Sequence, residues 1–219
     1  MSAEFWSPIK LSLQVASISG VLVVLFGLFF GRLMANRKFK GIALVETFFL
    51  LPLVLPPSVV GFLLIVLFGR NSGIGKFVEW IFHQPIMFTW WAAVIAATVV
   101  AFPLMYQSAK TGFESIDEDI EHAARVDGAS EWKLFLFVTI PLAYKAIVAG
   151  AILSFARALG EFGATLMFAG NIPGKTQTVP TAIYMAIDGG RMDLAWLWVI
   201  SMMVISFMML AIVQLIRSK

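Results

Sequence analysis

Along the chain, apolar residues gather into long runs instead of alternating with polar ones. Three runs reach the roughly 20 residues that cross about 30 Å of hydrocarbon without an Asp, Glu, Lys or Arg: Leu11–Gly31, Thr47–Gly69 and Leu194–Ile216. Two more lie between the second and the last of these: Met87–Ala109, third along the chain, is equally free of these charges, and Tyr144–Phe168, fourth along the chain, is interrupted by Arg157 and Glu161. The pattern predicts an all-α membrane protein with about five transmembrane helices, spanning residues 11–31, 47–69, 87–109, 144–168 and 194–216 of one domain, 1–219. The first run is longer than the apolar region of a secretory signal, and Asn36, Arg37, Lys38 and Lys40 follow it, so it is expected to be retained.

Within the runs, prolines mark where helices fail. Pro52, Pro56 and Pro57 fall in the second, and each removes a backbone donor and crowds the preceding turn. That helix must kink or break, and broken backbone at membrane depth survives only against protein or a water-filled cavity. Pro56 and Pro57 are therefore candidate pore residues, with a packing kink as the alternative. Arg157 and Glu161, four apart on one helix face, are the other exceptional pair, because charge at membrane depth is costly. Either Arg157 offers positive potential to a passing anion, or the two satisfy each other and fix packing. Gly160 and Gly163 beside them permit close helix approach, which suits an interface between two copies of the chain.

The polar segments organise around Ser115–Pro141. Ser115-Ile116-Asp117-Glu118 matches a capping box and predicts a helix starting at Ser115. Ile116, Ile120, Ala123 and Ala124 then share one face, and Gly128 suits a left-handed helix end. Ser130 caps a second helix running through Trp132, Leu134, Phe135 and Phe137 toward Pro141. This unit is suited to docking on a protein or to resting on lipid. Beyond the fourth span, Asn171-Ile172-Pro173-Gly174-Lys175-Thr176 has turn chemistry, and Val179–Ile187 suits a short interfacial helix, part of either a lid or a plain connection.

Composition and charge narrow the classes. Apolar residues make up 60% of the 219 and charged ones 13%, about half the charged share of a soluble domain. Ten Lys and Arg residues cluster on one side: Arg32, Arg37, Lys38, Lys40, Lys110, Arg125, Lys133, Lys145, Arg217 and Lys219. Only Lys10, Arg70, Lys76, Lys175 and Arg191 lie opposite, so the N-terminus is expected outside and the C-terminus in the cytoplasm. The same loops account for the net charge of +3 without nucleic acid. With no cysteine, thiolate chemistry and disulfides are excluded. The two histidines, His83 and His122, lie in loops on opposite sides and supply no metal or catalytic constellation.

Glu121-His122-Ala123-Ala124-Arg125-Val126-Asp127-Gly128, followed after nine residues by Val138-Thr139-Ile140-Pro141, resembles the EAA loop of ABC importer permeases. The chain departs from that pattern at His122, where many members carry the motif glutamate, and at Val138. Similarity to the molybdate branch runs through Leu51–Pro57, Phe155–Thr165 and Gly170–Thr176, with sulfate permeases as nearest relatives. The resemblance implies the type I importer permease (MetI-like) fold and a homodimer. It makes Glu121, Ala123, Ala124, Gly128 and Pro141 the ATPase-coupling loop. It also implies cytoplasmic ATPase subunits, which carry ATP and Mg²⁺, and an external molybdate-binding protein. The chain itself is then not an enzyme and binds no cofactor. The alternatives are a sulfate importer, a nucleotide-independent channel or a membrane enzyme.

Overall fold

Helices succeed one another along the whole computed structural model, which describes residues 3–217 and the side-chain surroundings of residues 4–211. Lys219, one of the ten charges expected on the cytoplasmic side, lies outside the described residues. So does the side chain of Arg217. The order is α1 (Ala3–Met34), α2 (Ile42–Val54), α3 (Pro57–Phe68), α4 (Gly73–Phe82), α5 (Trp90–Glu114), α6 (Glu118–Val126) and α7 (Glu131–Leu134). A single π turn, Phe135–Thr139, leads into α8 (Ile140–Leu142), α9 (Tyr144–Leu159), α10 (Gly163–Ala169), α11 (Val179–Asp188) and α12 (Met192–Arg217). Among the described residues, α1, α5 and α12 are long and apolar enough to cross a membrane, and bent pairs raise the number to as many as five.

The alanine-rich helix α5 is the centre of the bundle. Ala92, Ala93, Ala96, Ala97, Ala101 and Ala109 are fully buried, which is possible because they have almost no side chain to place. Helix α1 lies along it through Gly27 and Gly31: a methyl at Gly27 would sit 2.4 Å from Met105 Cγ, and one at Gly31 3.1 Å from the Lys110 amide. This is the small-xxx-small packing by which membrane helices gain dispersion contact where lipid removes any hydrophobic drive. Gly112 and Gly150 do the same between α5 and α9, against Ala146 and Ser108. Helix α12, with Met203, Phe207 and Met208 exposed, is mostly outward-facing.

Two departures from the apolar pattern are informative. Helix α5 continues five residues past Ala109, since lysine is a good helix former, and Lys110 is neutralised there by Glu46 at 2.9 Å and Glu114 at 3.0 Å. The fourth run, expected as one helix over Tyr144–Phe168, is instead broken at residues 160–162, between α9 and α10. Its cause is the Glu161 carboxylate, which accepts from the Ala164 amide at the start of α10. The second run breaks as its prolines require: α2 ends at Val54, Pro56 caps α3, Pro57 opens it, and the two axes differ by 116°.

Helix α11 forms over Val179–Asp188 but is not an isolated interfacial helix. Val179, Ala182 and Ala186 are buried with Phe5, Ile9, Ala195 and Trp198 in a second core between α1 and α12. Ser12 Oγ accepts from the Val179 amide at 2.7 Å, so a residue of α1 satisfies the first donor of α11. The preceding Asn171–Thr176 turn is closed by Gly174 at φ 74° and by Thr176 Oγ1, which accepts from the Ile172 amide at 3.0 Å.

Candidate functional site

The loop between α5 and α9 starts two residues later than the sequence predicts. Ser115 closes the α5 end in helical backbone, φ -80° and ψ -7°, with its hydroxyl donating to the Gly112 carbonyl at 2.8 Å, and so lacks the extended backbone of a cap for α6. Asp117, in extended backbone, takes the cap and accepts from the Asp119 amide at 3.0 Å. The expected capping box is therefore replaced by a single aspartate cap. Ile116 is buried with the main core, while Ile120 is exposed.

Helix α6 ends as predicted, at a left-handed Gly128 with φ 87°. The Ala129 amide donates to the Ala124 carbonyl and the Gly128 amide to the Arg125 carbonyl, both at 3.0 Å, which is the paired bonding of a Schellman end. Ser130 then caps α7 by accepting from the Lys133 amide at 3.4 Å. The π turn arises because Pro141 has no amide to give to Phe137. The Ile140 amide reaches back five residues to the Phe135 carbonyl instead.

Glu121, not His122, is the residue on which this loop is built. Its carboxylate is 12% exposed and is gripped by both nitrogens of the Arg32 fork, Nη1 to Oε1 at 2.9 Å and Nη2 to Oε2 at 3.0 Å. Thr139, buried in the π turn, donates to Oε1 at 3.0 Å, and Arg125 Nη2 lies 3.4 Å from Oε2. Arg125 in turn holds Glu131 of α7, Nε to Oε1 at 2.7 Å. One carboxylate thus ties α1, α6 and the π turn together, with Arg125 relaying it to α7. His122 is exposed and holds none of these bonds. The sequence signal for this was available: Glu121 sits beside Ala123–Ala124 at the head of the motif, and only a partner from α1 was missing.

Burial alone would push the Glu121 carboxyl up. The hydrogen bond and charge of Arg32, then Thr139 and Arg125, outweigh it and hold the group below the usual carboxylate range. A carboxyl depressed on folding contributes stability above its unfolded value and loses it as pH falls through the folded value. The tie is therefore complete at neutral pH and is lost only in acid.

Outward from this tie the loop presents apolar side chains to solvent among its charged ones. Val126, Trp132 and Phe137 are 88%, 69% and 75% exposed, and Ala123 and Gly128 are open beside them. Ala124 is half-buried and Pro141 exposed. Trp132 leans on Phe135, centroids 6.2 Å apart, and Phe135 on buried Phe113 at 6.0 Å, which braces the surface from beneath.

The second candidate is where the two broken helices meet. Glu161 is buried, with its Oε2 2.7 Å from Arg157 Nη1 and its Oε1 accepting from the Ala164 amide at 2.8 Å. It therefore caps the first turn of α10 as well as pairing with Arg157, which is why the fourth run cannot be one continuous helix. The close approach offered by Gly163 is used inside the chain: a methyl there would lie 2.9 Å from Pro57 Cβ and 3.3 Å from the Ser58 amide. One turn on, a methyl at Gly61 would lie 3.0 Å from Ala164 Cα. Gly163 thus belongs to the α3–α10 crossing and no longer supports an interface between two copies. Pro57 and Glu161 are brought to one crossing, while Pro56 and Pro57 stay exposed on its open side.

Residues 24–219 match the family described as binding-protein-dependent transport system inner membrane component. YvgM of Bacillus subtilis (strain 168), named provisionally as a molybdenum transport system permease protein, is 62% identical over 97% of this chain and 94% of its own length. The molybdenum transport system permease protein ModB of Escherichia coli (strain K12) is 44% identical over 90% and 86%. The sulfate transport system permease protein CysW of Synechococcus elongatus is 37% identical over 78% and 60%. In fold, the chain is similar to a bacterial ABC transporter that imports alginate, with TM-score 0.75, 18% identity and coverage of 99% of this chain and 79% of that one. An inward-facing MetNI methionine ABC transporter aligns with TM-score 0.71, 16% identity and coverage of 99% and 97%.

Proposed function

Because the chain belongs to the family of binding-protein-dependent transport system inner membrane components, we propose that it is the permease subunit of an ATP-driven importer that carries molybdate inward by alternating access. The observation that carries this reading is the loop itself: a braced apolar surface tied through Glu121 to the first helix, so that a push on the loop reaches the bundle. Two copies of the chain form the translocation path, two cytoplasmic ATPase subunits seat the loops, and an external binding protein delivers the oxyanion. ATP and Mg²⁺ belong to the ATPase subunits, and this chain hydrolyses nothing and holds no cofactor. The N-terminus lies outside and the C-terminus in the cytoplasm, in keeping with the ten charges on one side. Pro56, Pro57, Arg157 and Glu161 border the path, Arg157 with its charge largely compensated by Glu161.

Gly128→Arg places a side chain in the left-handed region, at a cost of about 1 kcal/mol, and projects charge from the docking surface. Ala124→Asp adds a carboxylate beside the same turn. Each variant is expected to keep the chain inserted yet lose association with the ATPase subunit and ATP-dependent uptake by more than about tenfold, equivalent to about 1.4 kcal/mol. Pull-down with the soluble ATPase subunit reads this, and unchanged association in both variants would remove the docking assignment.

The substrate is inferred from the molybdenum permeases at 62% and 44% identity, against 37% over a shorter stretch for the sulfate permease. Uptake of radiolabelled molybdate in the reconstituted importer is expected to persist in excess sulfate. Equal inhibition by sulfate would move the assignment to that anion.

A further inference from the structure

The elbow between α2 and α3 encloses, with α1 and α5, a crevice of about 680 Å³. Phe26, Phe30, Phe49, Pro52, Leu63 and Phe102 are among its lining residues. Its only polar lining residue is Thr98, whose hydroxyl donates to the Val94 carbonyl of its own helix at 2.7 Å. No donor or acceptor is therefore offered to the interior, and hydrocarbon is the matching occupant. Stacked rings form its floor: Phe30 and Phe49 are 5.0 Å apart, and Phe49 and Phe102 5.6 Å.

A cationic segment lies at one end of this crevice. Arg37, Lys38 and Lys40 occupy the turn joining α1 to α2, are exposed, and form no ion pair among the described residues. The nearby Glu46 is engaged by Lys110 at 2.9 Å and does not neutralise them. Four residues separate Phe30 from the end of α1 at Met34 and six separate Ile42 from Phe48, about 6 Å and about 9 Å of helix. The polar layer on each side of a bilayer is about 5–8 Å thick, half the difference between its full width and its hydrocarbon core. The turn thus stands one headgroup layer away from the crevice.

We propose that this elbow is a binding site for an anionic glycerophospholipid, with an acyl chain in the α2–α3 crevice and the phosphate headgroup at Arg37, Lys38 and Lys40. Charge complementarity selects the occupant: a neutral lipid fills the crevice equally well but leaves three cations without a counter-charge. The site rests only on the chain being embedded in a membrane and stands whichever oxyanion is carried. Bound lipid at this position supports the elbow from the side opposite α10, and lipid composition then bears on how the elbow moves.

A second apolar crevice, of about 590 Å³ between α1, α9 and α12 and lined by Val21, Leu25 and Phe155, is an internal control. The full-length protein is placed in phosphatidylcholine nanodiscs containing a small fraction of phosphatidylglycerol or phosphatidylcholine with a diazirine in one acyl chain. After photolysis, adducts are mapped by peptide mass spectrometry. At about 0.1 M salt, labelling of the α2–α3 lining is expected to be about fivefold higher with phosphatidylglycerol, and labelling near Val21 and Leu25 equal for the two lipids. Lys38→Gln with Lys40→Gln, which leaves Arg32 and Arg37 to set topology, should bring the ratio below about two. Should that variant fail to insert, about 0.5 M salt applied to the unaltered protein makes the same test by screening. Equal labelling by both lipids in the unaltered protein would reduce the site to ordinary bulk lipid. Absence of lipid adducts from the elbow, with or without a cross-link to a second copy, would mean that protein covers it.

Discussion

Glu161→Leu is expected to give little or no stably folded protein, because it removes two structural supports at once. Arg157, 30% exposed, is left without its counter-charge, at part of the cost of about 3–5 kcal/mol for breaking a fully buried pair. The Ala164 amide loses its acceptor, and the loss of a cap adds about 1 kcal/mol. Together these remove a large share of the marginal stability of an ordinary domain. Glu161→Gln keeps an oxygen for Ala164 and is expected to be milder. In the background of Arg157→Met, Glu161→Gln should recover most of the thermal midpoint in detergent, whereas Arg157→Met with Glu161→Leu should not. That contrast separates the cap from the charge pair. Equal midpoints for the two double variants would show that the cap contributes nothing.

Arg32→Ala is expected to lower ATP-dependent uptake more than tenfold while the chain stays inserted and helical. The fork to Glu121 comprises two charge-assisted bonds, each worth about 1.5–3 kcal/mol, and about 1.4 kcal/mol is tenfold in an equilibrium. The loop keeps its own caps and its Gly128 end, so association with the ATPase subunit should weaken less than transport does. ATP hydrolysis without uptake is the expected signature. The exchange Arg32→Glu with Glu121→Arg should restore part of the uptake, although Thr139 then faces a cation in place of an acceptor. Normal uptake by Arg32→Ala would show that force reaches the bundle by another route.

These residues also show what a sequence discloses. The proline break, the Gly128 end and the Ser130 cap arise from local chemistry, and each is found where local chemistry places it. Ser115 misleads for a local reason too: both Ser115 and Asp117 are able to cap, and the choice falls to Asp117 because α5 extends far enough to keep Ser115 in helical backbone. The importance of Glu121 is partly hidden because its principal partner is 89 residues away on α1. Gly163 is legible as a point of close approach, but periodicity does not say which helix approaches. It is α3 of the same chain. The elbow crevice has no sequence signature, since its lining comes from α1, α2, α3 and α5 together.

The α3–α10 crossing bears on how the protein is made. Gly163 comes 106 residues after Pro57 (163 − 57), so α3 leaves the ribosome and enters the bilayer long before the helix that wedges against it exists. Until then the elbow has no α10 beside it, and its freed backbone groups and proline turn must be sheltered by the insertion machinery or by lipid. Arrival of Gly163 closes this crossing late, with only α11, α12 and the second core still to form. Substitutions at Gly61 or Gly163 therefore act first on biogenesis, and their signature is a full-length chain that is inserted, then degraded, before it has transported anything.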